Sequence, residues 1–272
     1  MAFVFAVVTD ARALTFVLDF DSFNTSKTDD FDVTDFGFTA ADRDDVTTAV
    51  LNSVASKFQQ YPTMGDDAAS PISDGNQLDI DFVIGAYNAP DPNTLPSNGD
   101  QDFFVVQIGS VAVGQSISYL GQAFGQARNQ NGDPMTGWQG HTLASIYTDN
   151  IGGLTNFAGD MMKTVNAIAG TVAHEIGHTL NLGHAVGKQL NPGESLWSLM
   201  ATGASPSNMP NAQRLLSRQF SYGEMTALTT MVDLRTAQEA AGAPADSVPE
   251  PAGILLFAVA VLGTVAARRH LA

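Results

Sequence analysis

Three histidines and one glutamate crowd into a single short stretch: His174-Glu175-Ile176-Gly177-His178-Thr179-Leu180-Asn181-Leu182-Gly183-His184. On an α-helix His174 and His178 lie one turn apart and about 40° apart around the axis, so both imidazoles face the same side. That spacing makes a bidentate zinc site, and His184 offers a third nitrogen. Three neutral imidazoles leave a fourth position for water, the coordination of a catalytic centre. Glu175 sits on the flank of the first histidine, placed to reach that water without becoming a ligand. Zinc lowers the pKa of such a water toward ~7, and the carboxylate can take its proton and pass it to a leaving amine. A shuffled chain of this composition would show His-Glu-x-x-His roughly 0.2% of the time.

These side chains need a helix to carry them. Val165, Ile168, Ala169, Val172, Ile176 and Leu180 fall in a stripe about 120° wide at helical periodicity, and the two histidines fall opposite it. One face is thus expected to bind the core while the other presents imidazoles. The helix must stop after His178 for His184 to swing back. Asn181 supplies that stop, because Asn tolerates the left-handed conformation just past a helix end. Gly183 then gives the chain freedom to turn.

The rest of the body reads as α+β. Leu14 to Phe20 alternates at period two and predicts a strand. An acidic, turn-rich stretch follows through Asp35. Residues 42–60 predict an amphipathic helix, with Val46, Val50, Leu51, Val54 and Phe58 on one face and Asp42, Asp44 and Asp45 in the first turn. Leu78 to Ile84 predicts a strand with one wet face. Phe103 to Val113 and His141 to Thr148 are two more strands. Residues 121–140, rich in Gly, Gln and Asn, predict a long loop. Ser221-Tyr-Gly-Glu224 is a capping-box pattern opening a last helix through about Glu239. The domain is therefore expected over residues 14–240, with a mixed twisted sheet, two main helices and a smaller C-terminal part bearing the final helix.

The histidine stretch resembles the metzincin signature HExxHxxGxxH with its Met-turn. His174, Glu175, His178 and His184 match, and the family glycine falls on Asn181. Ser198-Leu-Met200-Ala-Thr, sixteen residues after His184, resembles the Met-turn, whose methionine lies beneath the metal in that family. Thr202 stands where some branches carry a metal-touching Tyr, which brings the segment closer to matrixins; Ala185 does not settle the subgroup. The resemblance covers roughly residues 160–240. It implies a zinc endopeptidase whose cleft lies between an upper sheet-and-helix part and a lower part, acting on protein or peptide substrates. It also implies an edge strand that aligns substrate by β-addition, for which His141 to Thr148 is the candidate. Specificity is expected from loops between about residues 200 and 220. Calcium is a second ion the resemblance implies. Asp19, Asp21, Asp29, Asp30, Asp74, Asp79 and Asp81 offer carboxylates, but without EF-hand spacing they read as a solvated acidic face.

Composition bounds the rest. With 28 Asp and Glu against 12 Lys and Arg, the net charge is -16, and no basic face is available for nucleic acid. The chain has no cysteine, which excludes disulfides, a thiol nucleophile and a cysteine-blocked latent form. Residues 1–13, with an apolar run and Ala11-Arg12-Ala13, read as the tail of a truncated secretory signal, the other reading being a first strand. Residues 241–248 are small and turn-prone, a linker. Val248-Pro249-Glu250-Pro251 follows, then an apolar run from Ala252 to Ala267 and the Arg268-Arg269 pair. As a helix that run spans roughly 24 Å, slightly short of the ~30 Å hydrocarbon layer, and the arginines stay cytoplasmic. Residues 249–272 resemble the PEP-CTERM sorting signal of Gram-negative bacteria. That resemblance implies export, transient membrane anchoring through a C-terminal helix, an exosortase-type processing partner, and delivery to the cell surface or extracellular matrix.

Two competing readings frame the chemistry. Glu194 would be the third ligand in a two-His, one-Glu site, although its Gly-Pro surroundings suit a surface loop. The chain would otherwise be an exported matrix protein with a structural zinc and no peptidase activity. Glu175 weighs against that, since a structural site needs no general base. His141 and His270 read as non-ligands.

Overall fold

The computed structural model describes residues 14–21, 28–59, 77–85, 103–128, 135, 142–185, 197–202, 209–232 and 234–235. All belong to the first of two units, Met1–Arg235; the second, Thr236–Ala272, lies outside the described residues.

The strands are β1 (Leu14–Asp19), β2 (Gln77–Leu78), β3 (Ile80–Ile84), β4 (Phe103–Gly109), β5 (Gly121–Ala123), β6 (Thr142–Tyr147) and β7 (Leu234–Arg235). The helices are α1 (Arg43–Gln59), α2 (Thr148–Gly152), α3 (Met161–Thr179), α4 (Asn211–Arg214) and α5 (Tyr222–Met231). Two short 3-10 turns, Val33–Phe36 and Ala40–Asp42, lead into α1. The architecture is α+β, as the alternating patterns indicate. Its sheet runs β3-β1-β4-β6-β5, with the first four strands parallel and β5 antiparallel to β6.

Hydrophobic periodicity accounts for the main elements. Val46, Val50 and Val54 of α1 are fully buried and Phe58 nearly so, while Leu51 packs at the margin. α1 packs against β3 and α3, and α3 packs against β5 and β6. Rings bind these layers: Phe16 stacks on Phe82 at 5.9 Å, Phe58 meets Phe82 at 5.2 Å, and Phe58 meets Phe220 edge-on at 5.0 Å. Aromatic pairs at these separations add to the burial of their faces. On α3, Ile168, Ala169, Val172, Ile176 and Leu180 are wholly buried, with Val165 at the edge of the same cluster.

Four expectations change. Residues 121–140 are not loop throughout, because Gly121–Ala123 forms β5 by pairing with β6. Its Gly-Gln-Ala sequence has no strand propensity of its own, and the neighbouring strand supplies the conformation. β6 consequently lies between β4 and β5 and is no edge; the edge on that side of the sheet is β5. The last helix ends at Met231 rather than near Glu239. Val232 turns extended, and Leu234–Arg235 pairs with Gln77–Leu78. A β-branched residue favours that extended exit, and the ladder satisfies backbone groups that a longer helix would satisfy itself. The strand expected over Leu78 to Ile84 is interrupted at Asp79, so its two parts join different sheets.

Candidate metal centre and cleft

α3 begins at Asp160, whose carboxylate accepts from the Lys163 N–H at 3.1 Å. Its other end is a Schellman turn. The Leu182 N–H reaches the Gly177 carbonyl at 2.9 Å and the Asn181 N–H reaches that of His178 at 3.0 Å. Asn181 itself is left-handed, with φ 64°, which is the role expected of it. Its side-chain amide donates to the Arg128 carbonyl at 2.6 Å, tying the turn to the segment after β5.

That turn returns the chain so that three imidazoles meet. The Nε2 atom of His178 lies 3.1 Å from that of His174 and 3.0 Å from that of His184. On tetrahedral zinc with bonds of about 2.0–2.1 Å, ligand nitrogens sit roughly 3.3 Å apart, so the spacing approaches one face of that polyhedron. His174 Nδ1 lies 2.9 Å from the Leu199 carbonyl and His178 Nδ1 lies 2.8 Å from the Leu182 carbonyl. A carbonyl only accepts, so each Nδ1 carries the proton and each Nε2 presents a lone pair. Lone pairs turned toward one another repel unless a cation lies between them. Burial, with the neighbouring His178 charge, holds His174 well below the usual imidazole pKa; burial likewise lowers His178. Both effects favour the neutral, ligating form. The residues therefore fit a zinc ion.

Met200 is fully buried, with its sulfur against Gly177, the residue between Ile176 and His178 on α3. A Cβ on Gly177 would come within 2.6 Å of the Met200 sulfur, so the bare glycine lets that side chain pack directly on α3. The Ala185 N–H donates to the Met200 carbonyl at 3.0 Å, which fixes the chain directly after His184. Ser198 bonds both Glu224 carboxylate oxygens, at 2.5 and 2.7 Å, and accepts from the Met200 N–H at 3.1 Å. The same Glu224 completes the predicted capping box with Ser221 at the start of α5.

Glu175 is 7% exposed and opens onto a cleft of about 920 Å³ that also contains all three histidines. Burial pushes its carboxyl up to about 7, opposed by a hydrogen bond from the Ala123 backbone and by the Arg214 charge. β5 runs so close that a Cβ on Gly121 would stand 2.8 Å from Glu175 Cγ. Thr202 and Arg214 line the same cleft.

Behind the histidines lies a buried cation that sequence reasoning missed. Arg218 is 1% exposed, and its guanidinium donates to the Leu199 carbonyl at 3.1 Å and the Ser198 carbonyl at 3.3 Å. Lys57 of α1 donates to the Arg218 carbonyl at 2.9 Å. Burial lowers both groups, Arg218 to about 9 and Lys57 to about 8. Their partners are backbone carbonyls, so no residue pattern could have flagged them. Gly121, Ala123 and Arg214 were likewise hidden in segments read as loops.

Among the described residues the three histidines are the one group of His, Asp or Glu side chains whose ligand atoms converge. Asp19, Asp21, Asp29, Asp30, Asp79 and Asp81 form no such group. Asp74, His141, Glu194 and His270 lie outside the described residues, as do the signal-like start and the C-terminal tail.

Residues 247–269 match the family model of the PEP-CTERM protein-sorting motif. A motif of this kind is a sorting signal recognised by an exosortase, in keeping with export and transient anchoring. No curated protein matches the chain. Among the described residues no helix is long and apolar enough to cross a membrane.

Proposed function

We propose that this chain is an exported zinc endopeptidase with a metzincin-like catalytic domain. The observation that carries the reading is the convergence of the His174, His178 and His184 Nε2 atoms beside a buried carboxylate in an open cleft. A structural zinc site closes its fourth position and has no use for Glu175. The Met200 turn against α3 and the antiparallel rim strand β5 also suit a metzincin-like arrangement.

Zinc held by the three imidazoles supplies a Lewis acid and a water of lowered pKa. The chain's own residues do the rest. The Leu199 and Leu182 carbonyls hold the first two imidazoles in the ligating tautomer. The Ala123 N–H steadies the Glu175 carboxylate, which takes a proton as the peptide carbonyl is attacked and returns it to the departing amine. β5, unpaired along its outer side among the described residues, offers backbone groups against which an extended substrate can lie. The sorting tail would place this activity at the cell surface or in the extracellular matrix.

The test is cleavage of unfolded protein by the full chain loaded with zinc, beside Glu175→Ala. Chelator-sensitive cleavage that disappears in the variant is the expected result. One bound zinc per chain with no cleavage by the wild type would favour a matrix protein with a structural metal.

A further inference from the structure

We propose that the cleft selects its substrate by a carboxylate, which Arg214 receives. The inference rests on the peptidase reading and names the substrate class of that site.

Arg214 closes the short helix α4 and lines the cleft together with Thr171, His174 and Glu175. Its segment is fixed to the metal-bearing helix, because the Asn166 side-chain amide donates to the Leu215 carbonyl at 3.0 Å. The second arginine of the cleft, Arg218, is 1% exposed, with its Nη1 committed to the Ser198 and Leu199 carbonyls and its Nε buried without a partner. Arg214 is available. Among the described residues its guanidinium makes no hydrogen bond and no ion pair within 4 Å. It feels the Glu175 charge only at longer range. Burial has removed part of its hydration without supplying acceptors for its five N–H groups. A carboxylate offers two oxygens in the fork geometry that a guanidinium matches.

Long-range attraction cannot be the source of such a preference. With a net charge of -16, the protein as a whole repels anions. Selection must come from direct contact, which salt screens weakly inside a cleft. The carboxylate has two sources in a peptide: an Asp or Glu side chain near the cleaved bond, or the free end of the chain. The chemistry is the same for both.

Matched peptides separate them. Each carries Glu or Gln at one position around a cleavable bond, with either a free or an amidated C-terminus. They are tested for cleavage by the zinc-loaded full chain, and for binding to Glu175→Gln by calorimetry. The expected result is a roughly tenfold to hundredfold preference for the carboxylate form in both readouts, the range of a charge-assisted hydrogen bond. A Glu-over-Gln preference identifies the side chain as the source, and a loss on amidation identifies the chain end. Arg214→Gln should collapse the ratio, and Arg214→Glu should turn it toward Lys-bearing peptides, which a misfolded protein cannot mimic. Cleavage with equal rates for all four forms would overturn the proposal while leaving the peptidase standing. If nothing is cleaved, the peptidase reading fails, and the binding ratio still decides whether Arg214 receives a carboxylate.

Discussion

His174 and Arg218 donate to one acceptor, the backbone carbonyl of Leu199, at 2.9 and 3.1 Å. The first ligand of the candidate metal centre is thus oriented by a carbonyl that a wholly buried guanidinium holds in place. Partners of metal-bound histidines tune affinity through the proton on the far nitrogen.

Arg218→Met should therefore weaken zinc binding by roughly tenfold to a hundredfold, the usual effect of losing such a partner. Competition against a chromophoric chelator measures this directly. Burying a cation is costly, so folding stability should fall far less than metal affinity. Equal zinc affinity in the two proteins would show that the Leu199 carbonyl holds its place unaided.

Gly121→Ala tests the contact between β5 and Glu175, the proposed general base. The added carbon would stand 2.8 Å from Glu175 Cγ and 2.9 Å from its Oε1, so the carboxylate must move. A displacement of this size costs on the order of a hundredfold in rate when the group must be aligned. The variant should bind one zinc and keep its far-UV spectrum while kcat falls. An unchanged kcat would remove Glu175 from the geometry proposed for it.

The left-handed Asn181 sets a stability prediction with two arms. Asn181→Ala forces an ordinary side chain to φ 64° and removes the bond to the Arg128 carbonyl, for a loss of about 1–3 kcal/mol. Asn181→Gly relieves the backbone and loses only the bond, so it should be the milder change. Denaturant unfolding of the zinc-free chain ranks the two. Because His184 depends on this turn, the alanine variant should also bind zinc more weakly.

Lys57 gives the fold a pH dependence of known sign. Its amine is lowered from 10.5 to about 8 by burial and by the nearby Arg218 charge. Between those values the unfolded chain holds more protons than the folded one, so stability rises with pH. The penalty is fully present below about pH 8 and disappears as pH climbs toward 10.5. Lys57→Met abolishes it. The stability difference between wild type and variant should shift by a few kcal/mol in favour of wild type from pH 8 to 10, an order-of-magnitude figure. A difference that stays flat would mean that Lys57 keeps its proton in the fold as firmly as in the unfolded chain.

What could be read in the sequence was whatever periodicity carries. The four-residue step from His174 to His178, the apolar stripe opposite it and the stop at Asn181 are local properties of one helix. β1, β4 and most of β6 announced themselves by β-branched and aromatic residues. β5 did not, because Gly121-Gln122-Ala123 becomes a strand only through β6. The end of α5 was missed for a related reason, since Leu234 leaves the helical pattern to pair with Leu78. Arg214, Arg218 and Lys57 carry no spacing signature. Arg218 and Lys57 contact main-chain carbonyls, which every residue possesses, and the place of Arg214 follows from how α4 packs on α3.

The Lys57 bond to the Arg218 carbonyl joins residues 161 positions apart, and β2 pairs with β7 across a similar span. Contacts of such range form late, because the intervening chain must first be collected. His174 and His178 can sit on their helix well before Arg218 and Glu224 arrive to fix the carbonyl beneath them. A chain emerging N-terminus first would pass through a stage with the histidines assembled but their floor missing. Competence would come only with the last residues of the unit, so an order of assembly is written into the way the site is divided along the chain.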